Sequence, residues 1–402
     1  MTGERLTALG RRLHTLTVFR SLLSDPVLHS LLSYLDGLAE DTVLESVDRY
    51  CAFVSTLIES SPSDLPGYLQ SIVNDDENVY VRTVSRKLPA ADSVRESVRS
   101  ELALLQQIAD LTPADLTEPL EWTDYLPSFE SVPVDIVGVY EKRTQDISRY
   151  GYGIWSRYYM FHVTDDGTVV PVINPDTQRL SDLIDYKREQ GIILDNTRAL
   201  LAGKPAANIL LTGDAGTGKS STIKAVVNEL KDEGLRILEV RKEQLAVIPS
   251  VMGMLSENPL KFILFIDDLS FQSNDDNFAA FKAILEGSVS AKSHNVAIYA
   301  TSNRRHMVRE SFSGRAGDDI HRNDTMQETV SLSERFGIQI LFRRPDKFTY
   351  LNIVRHLAQQ AGLDIPSEEL ELGAERFALT RANRSARAAR QYVDSLIAAA
   401  DA

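Results

Sequence analysis

Along the first 150 residues, apolar positions return every three or four places. Leu6, Leu9, Leu13, Leu16, Phe19 and Leu23 form one such series, and Val43, Leu44, Val47, Tyr50, Val54, Leu57 and Ile58 form a second. That period is one face of an α-helix, so both series predict amphipathic helices with a buried stripe. Pro26, Ser61-Pro62-Ser63, Leu65-Pro66-Gly67 and Leu111-Thr-Pro113 punctuate the pattern. The expectation is a mainly helical domain over residues 1–150. It carries no metal-ligand cluster, catalytic constellation or repeat, which points to a scaffold or a partner-docking role.

The pattern changes over residues 151–178. Tyr150, Tyr152, Trp155, Tyr158, Tyr159 and Phe161 crowd together ahead of the turn signal Asp165-Asp-Gly167 and the strand-like run from Thr168 to Ile173. An aromatic β-hairpin linker is predicted. Its rings suit packing against a neighbouring domain better than base stacking.

Apolar runs then alternate with helical or looped segments. Strands are predicted at Asn208–Thr212, Leu235–Val240, Lys261–Ile266, Val296–Thr301 and Gly337–Phe342. This alternation specifies a mostly parallel five-stranded sheet with helices on both faces, here over residues 179–344. Residues 345–402 turn helical again, at Asp346–Gln360, Ser367–Phe377 and Ser385–Ala400. A terminal helical unit of this kind can close over a ligand.

Candidate chemistry is concentrated at the end of the first of these strands. Gly213 to Ser220 reads GDAGTGKS, directly after an apolar run and directly before the helix-like Ser221 to Leu230. Strand, glycine-rich loop, lysine, hydroxyl and helix stand in the order a nucleoside triphosphate site requires. The candidate cradle is Gly213, Asp214, Ala215, Gly216, Thr217, Gly218, Lys219, Ser220 and Ser221. Its glycines let successive N–H groups face phosphate oxygens, and the helix beginning near Gly218 adds its positive end. Lys219 would reach the β- and γ-phosphates, and Ser220 would offer its hydroxyl to Mg²⁺.

The strand Lys261-Phe-Ile-Leu-Phe-Ile ends in Asp267-Asp268. A strand buried on both faces and tipped with carboxylates can hold Mg²⁺ beside phosphates at the carboxyl edge of a sheet. Asp267 would orient the metal through water, and Asp268 would polarise the attacking water or hold it in line.

With these motifs the sequence resembles the AAA+ ATPases from about Arg179 onward. The resemblance implies a P-loop NTPase core with a C-terminal helical lid, binding ATP and Mg²⁺. Val296-Ala-Ile-Tyr-Ala-Thr-Ser-Asn303 is similar to the family's sensor 1 strand, with Asn303 watching the γ-phosphate. Leu332-Ser-Glu-Arg335-Phe-Gly is similar to the segment that carries an arginine finger, which makes Arg335 the candidate. Asn383-Arg384-Ser-Ala-Arg387 stands where the family has its sensor 2 arginine, at Arg387 or alternatively Arg384. Leu183 and Ile184, within Leu180–Asp185, match the apolar lining of the adenine pocket. The particular combination of motifs is similar to an uncharacterised bacterial ATP-binding family known only as a domain of unknown function.

Two departures bear on activity. Active AAA+ members mostly carry Asp-Glu where this chain has Asp267-Asp268. The shorter side chain predicts slow hydrolysis, because a displacement of about 1 Å costs roughly a hundredfold in rate. Protein-threading members place an aromatic residue beside glycine after the second strand, and the stretch Arg241 to Leu260 has no aromatic residue. The polar stretch Arg304 to Glu334, with Gly314 to Asp319 inside it, is long for a plain connection.

The leading expectation is an ATPase that passes conformational change to an unknown protein client. The alternative is a nucleotide-dependent switch or helicase-loader-like protein with little intrinsic hydrolysis. A finger acting in trans implies a homo-oligomer in the ATP-bound form. A formal net charge of -14 argues against a broad grip on nucleic acid, leaving only local features such as Arg304-Arg-His306 and the arginine stripe Arg381, Arg384, Arg387 and Arg390.

With 402 residues, 43% of them hydrophobic and 25% charged, the chain has an ordinary globular composition and room for two or three domains. Its apolar runs fall far short of the ~20 residues that span a bilayer. The amino terminus lacks a basic segment followed by an apolar core, so a signal peptide is not expected. A single cysteine, Cys51, excludes an intramolecular disulfide and reads as a packing residue. These features suit a cytoplasmic protein.

Overall fold

A computed structural model of the chain describes residues 2–269, 281–282, 284–285, 294–303, 334–381 and 384–400. Arg304 to His306, Gly314 to Asp319, Leu332 and Asn383 lie outside the described residues. The chain divides into two compact units, Met1–Arg157 and Tyr158–Ala402.

The first unit is helical. Its elements are α1 (Gly3–Leu13), α2 (Pro26–Gly37), α3 (Val43–Ile58), α4 (Leu65–Asp75), α5 (Val79–Ser85), α6 (Asp92–Ala109), α7 (Pro113–Thr117), α8 (Ile136–Gln145), α9 (Ile147–Tyr150) and α10 (Ile154–Arg157). Helix starts are written locally. Asp25 caps α2 by accepting from the amides of Val27 and Leu28, and Pro26 fills the first turn, where no N–H is needed. Thr42 and Glu45 form a reciprocal capping box on α3.

The first apolar series does not make one helix. Although Leu16 and Phe19 are buried with Leu6, Leu9 and Leu13, α1 stops at Leu13. The buried carboxylate of Glu101, on α6, accepts from the amides of Thr17, Val18 and Phe19 and so satisfies backbone that a helix would otherwise pair internally. In the second series Val43, Leu44 and Ile58 are exposed, and only the middle of the stripe enters the core. Cys51 packs half-buried against this core, and burial raises its thiol pKa.

The second unit is built on a sheet of β1 (Met160–Val163), β2 (Val169–Pro171), β3 (Ile209–Gly213), β4 (Leu235–Glu239), β5 (Lys261–Ile266), β6 (Val296–Ser302) and β7 (Ile338–Phe342). Their spatial order is β2-β1-β4-β5-β6-β3-β7. All neighbours run parallel except the β1–β2 pair. The expected five-stranded parallel core is present as β4-β5-β6-β3-β7. The hairpin expected as a linker instead extends it: β1 pairs in parallel with β4, Phe161 opposite Leu238, and raises the sheet to seven strands.

Helices α11 (Lys187–Leu201), α12 (Lys219–Leu230) and α13 (Ile248–Ser256) lie between the strands in sequence. The residues of β5 from Phe262 to Ile266 are all buried, as a strand covered on both faces must be. Three helices follow: α14 (Lys347–Gln360), α15 (Ser367–Thr380) and α16 (Ala386–Ala400). They bury a small core of their own around Tyr350, Val354, Ala374 and Ala389. This is a mostly parallel α/β architecture, with a helical N-terminal region and a C-terminal helical lid.

Because β3, β5 and β6 are parallel and in register, Gly213, Asp267 and Asn303 leave the sheet at one edge. Leu211 stands opposite Thr301, and Ile266 opposite Ala300. The chain passes from β3 through α12 to β4, over two intervening strands, which creates the crevice where α/β folds hold ligands. Among the described residues no helix is long and apolar enough to cross a membrane.

Candidate functional site

The glycine-rich loop starts where β3 runs out. Gly213 has φ of 142°, and a Cβ there would lie 2.1 Å from the carbonyl oxygen of Phe342 on β7, so no other residue fits. Gly218, at φ of 91°, is the N-cap of α12. A Cβ at Gly218 would meet nothing within 4 Å, which makes its constraint one of backbone conformation alone. The Thr217 hydroxyl donates to the carbonyl of Asp214 at 2.9 Å and holds the loop closed. The amides of the first turn of α12, a helix of 12 residues, have no partner within the helix and present partial positive charge to the crevice.

Lys219 opens that helix and is only 5% exposed. Its ammonium donates to the carbonyls of Gly213 and Asp214 at 2.9 and 2.8 Å and to Asn303 Oδ1 at 2.9 Å. Burial lowers its pKa, and the carboxylates of Asp267, Asp268 and Asp214 oppose that shift. Asn303 in turn donates from Nδ2 to Asp268 Oδ1 at 2.7 Å. Ser220 Oγ donates to Asp267 Oδ1 at 2.6 Å. The amide of Asp268 donates to Asp267 Oδ1 at 3.2 Å and joins the two groups, so lysine, serine, both aspartates and asparagine form one connected polar ring. Asp268 holds φ of 53°, in the left-handed region that few residues other than glycine, asparagine and aspartate adopt.

The lid meets this ring through α16. The amide of Arg387 donates to the carbonyl of Gly216 at 3.4 Å, so the helix start touches the loop backbone. A cavity of about 940 Å³ lies between them, walled by Gly216, Gly218, Lys219, Ser220, Ser221, Asp267, Asp268 and Asn303 on the core side and by Arg387 and Arg390 on the lid. Arg384 points elsewhere, with its guanidinium on Glu375 at 3.0 Å. Leu183 lines the cavity, whereas Ile184 packs against the lid core. Arg335 is half-buried just ahead of β7 and lies outside the cavity wall.

Several lining residues escape sequence reasoning. Asp176, Thr177 and Gln178 form part of the wall in a segment without periodicity. They are fixed by Asn228 of α12, whose side-chain amide donates to the carbonyls of Asp176 and Gln178 at 2.9 and 2.7 Å. Gln360, Arg390 and Thr301 join the wall from distant elements. The regular arginine spacing was the one available signal for Arg390, and it did not distinguish a cavity-lining side from a solvated one.

The donor set fits a hard dication shared with phosphate. Ser220 and Asp267 bring two oxygen atoms together, and Mg²⁺ is commonly held by one or two protein oxygens, several waters and phosphate oxygens. Among the described residues no group of three or more His, Cys, Asp or Glu side chains forms a separate metal cage.

The chain is similar to several solved structures at low identity. The Thermotoga maritima RuvB Holliday junction branch migration motor is 16% identical, with 54% of this chain and 63% of that chain covered at a TM-score of 0.36. The FIGL-1 AAA domain in complex with ADP is 16% identical over 55% of this chain and 72% of that one, at 0.38. A structure describing katanin self-assembly is 15% identical over 57% and 71%, at 0.37. The chain thus spans less than two thirds of the length of the RuvB motor. No curated protein matches the sequence. The family described as "Protein of unknown function (DUF815)" matches residues 156–400, more than half of the sequence including the whole ring and lid described above, and the chain belongs to that family.

Proposed function

We propose that this chain binds ATP with Mg²⁺ and hydrolyses it slowly, using the cycle to change the angle between core and lid and so act on a protein client. The observation that carries the reading is the polar ring, in which Lys219, Asn303 and Asp268 are joined side chain to side chain beside the Ser220–Asp267 pair. Phosphoryl transfer needs positioning and charge stabilisation more than covalent chemistry, and these groups are of the types that supply both.

In this reading the loop amides from Gly213 to Ser221 bind phosphate oxygens, and Lys219 exchanges its carbonyl partners for them. Ser220 and Asp267 hold Mg²⁺, which when bound neutralises charge on the phosphates. Asp268 holds the attacking water, and Asn303 orients Asp268 while contacting Lys219. Leu183 borders the base, and Arg387 brings positive charge from the lid. Arg335, away from its own cavity, suits a finger that completes a neighbouring copy's site in a homo-oligomer. The helical first unit would hold the client, and a cytoplasmic setting suits all of these roles.

A second reading is a nucleotide-dependent switch with negligible hydrolysis. It rests on Asp268, whose short side chain already accepts from Asn303 and whose backbone is constrained at φ of 53°. Turnover that stays near zero with every candidate partner, alongside tight ATP binding, favours the switch.

The test is calorimetric titration of ATP and Mg²⁺ into the wild-type chain and Lys219→Ala, together with turnover and mass in solution. Binding that disappears in the variant, and mass that rises with ATP, are the expected results. Unchanged binding in Lys219→Ala would refute the site, and a mass unaffected by ATP would remove the trans finger.

A further inference from the structure

We infer that Thr301 is a positioning residue whose single hydroxyl sets both aspartates of the site at once, an inference that rests on the nucleotide reading above. Thr301 lies on β6 and is 1% exposed. Its Oγ1 donates to Asp267 Oδ1 at 2.5 Å and accepts from the amide of Asp268 at 2.9 Å. Its own carbonyl accepts from the amide of Leu269 at 2.7 Å. One threonine therefore grips three consecutive residues at the point where β5 gives way to the following loop.

The chemistry of a hydroxyl makes the assignment specific. Its one proton goes to the carboxylate, which leaves an oxygen lone pair for the Asp268 N–H. The first bond fixes the Asp267 carboxylate where it also accepts from Ser220. The second holds the peptide that carries Asp268 in its left-handed conformation, with its carboxylate on Asn303. Without the hydroxyl, Asp267 would keep its Ser220 donor and a longer bond of 3.2 Å from the Asp268 amide. The Asp268 backbone would lose its better-placed acceptor. Groups that orient the ligands of a metal in this way tune its affinity while touching neither metal nor substrate.

Valine has nearly the shape of threonine and neither hydrogen-bonding capacity, whereas serine keeps both. The experiment uses the full chain as wild type, Thr301→Val and Thr301→Ser. ADP and ATP affinities are measured calorimetrically with Mg²⁺ and again with a chelator, together with kcat, KM and the melting temperature without nucleotide. In Thr301→Val the gain in affinity conferred by Mg²⁺ should shrink roughly tenfold and kcat should fall by a similar factor, with KM little changed. Affinity in chelator should stay close to wild type, and Thr301→Ser should restore the Mg²⁺ gain.

A valine variant that keeps the whole Mg²⁺ gain overturns the inference while leaving nucleotide binding standing. So does one that loses affinity equally in both buffers, since that marks a merely structural threonine. Should valine fail to fold, Thr301→Ala carries the same comparison. A wild-type chain that binds no nucleotide in either buffer overturns the nucleotide reading itself.

Discussion

Lys219 and Asn303 meet head to head, with the ammonium 2.9 Å from the asparagine Oδ1. One stands at the start of α12 and the other just beyond β6, so the contact bridges the glycine-rich loop and the neighbouring strand end. The same asparagine gives its Nδ2 to Asp268 at 2.7 Å. Under the proposed roles of Lys219 on phosphate and Asp268 on water, a group that joins the two should matter more to turnover than to binding. Asn303→Ala is expected to keep ATP affinity within a few-fold and to lower kcat about a hundredfold, as misplacement of a reacting group by about 1 Å does. Equal losses in kcat and affinity, measured by steady-state kinetics and calorimetry, would instead make Asn303 part of the binding surface.

Gly213 and Gly218 should respond differently to the same change. Alanine at Gly213 would press its Cβ to 2.1 Å from the Phe342 carbonyl oxygen, a backbone atom of β7 that the sheet cannot easily move. Gly213→Ala is expected to destabilise the chain by about 3 kcal/mol or more. Alanine at Gly218 meets open space and bears only the left-handed backbone cost, about 1–2 kcal/mol. Scanning calorimetry of both variants checks the order, and a Gly213→Ala protein as stable as Gly218→Ala would mean that β7 yields.

Arg384 and Arg387, the two sensor 2 candidates, separate cleanly. Arg384 donates to Glu375, which also lies 3.4 Å from Lys347, so its work is to join α15 to its neighbours. Burial pushes the Glu375 pKa up, but hydrogen bonds and charge from Arg384 and Lys347 leave it below the ordinary value. The pair is partly exposed, and Arg384→Ala should cost no more than about 1 kcal/mol of stability. Arg387 lines the cavity and touches the loop backbone at Gly216. Arg387→Ala should change stability by less than about 0.5 kcal/mol and weaken ATP binding roughly tenfold. Titrations of the two variants showing the larger loss for Arg384→Ala would exchange their roles.

What could be read in the sequence was whatever short-range spacing encodes. β5 has the bounds its apolar run predicts, Lys261 to Ile266, and α12 starts immediately after the glycine where the loop motif puts it. The meeting of Ser220 with Asp267 follows from a parallel sheet whose strands end together. Non-local pairing was not legible. Nothing in Met160–Val163 indicates that its partner is β4, more than seventy residues on, so the hairpin's place in the sheet is not encoded in its own residues. The end of α1 at Leu13 was hidden for the same reason, since it depends on a carboxylate at Glu101. The cavity walls contributed by Asp176, Gln178 and Gln360 depend on packing between elements that carry no common motif.

Acid stability of the helical unit offers a further check, with the sign set by its capping boxes. Glu45 Oε2 accepts from the amide and the hydroxyl of Thr42, both at 2.8 Å, and Asp115 repeats the arrangement with Thr112. Hydrogen bonds from Thr42's backbone and hydroxyl lower the pKa of Glu45, and bonds from Thr112's hydroxyl and backbone lower that of Asp115. A depressed pKa means that the folded chain binds its proton later than the unfolded one. Each cap therefore contributes fully above the ordinary carboxylate range, and the contribution disappears as pH falls through the folded value. Asp75 and Asp76 have the opposite sign, because burial raises both; their contribution is present in acid and is lost as pH rises through the folded value. Glu45→Gln combined with Asp115→Asn should then lower the melting temperature near neutrality, leave it close to wild type near pH 3, and so flatten its loss between about pH 6 and pH 3. A double variant whose acid profile matches wild type would assign the acid sensitivity to other carboxylates.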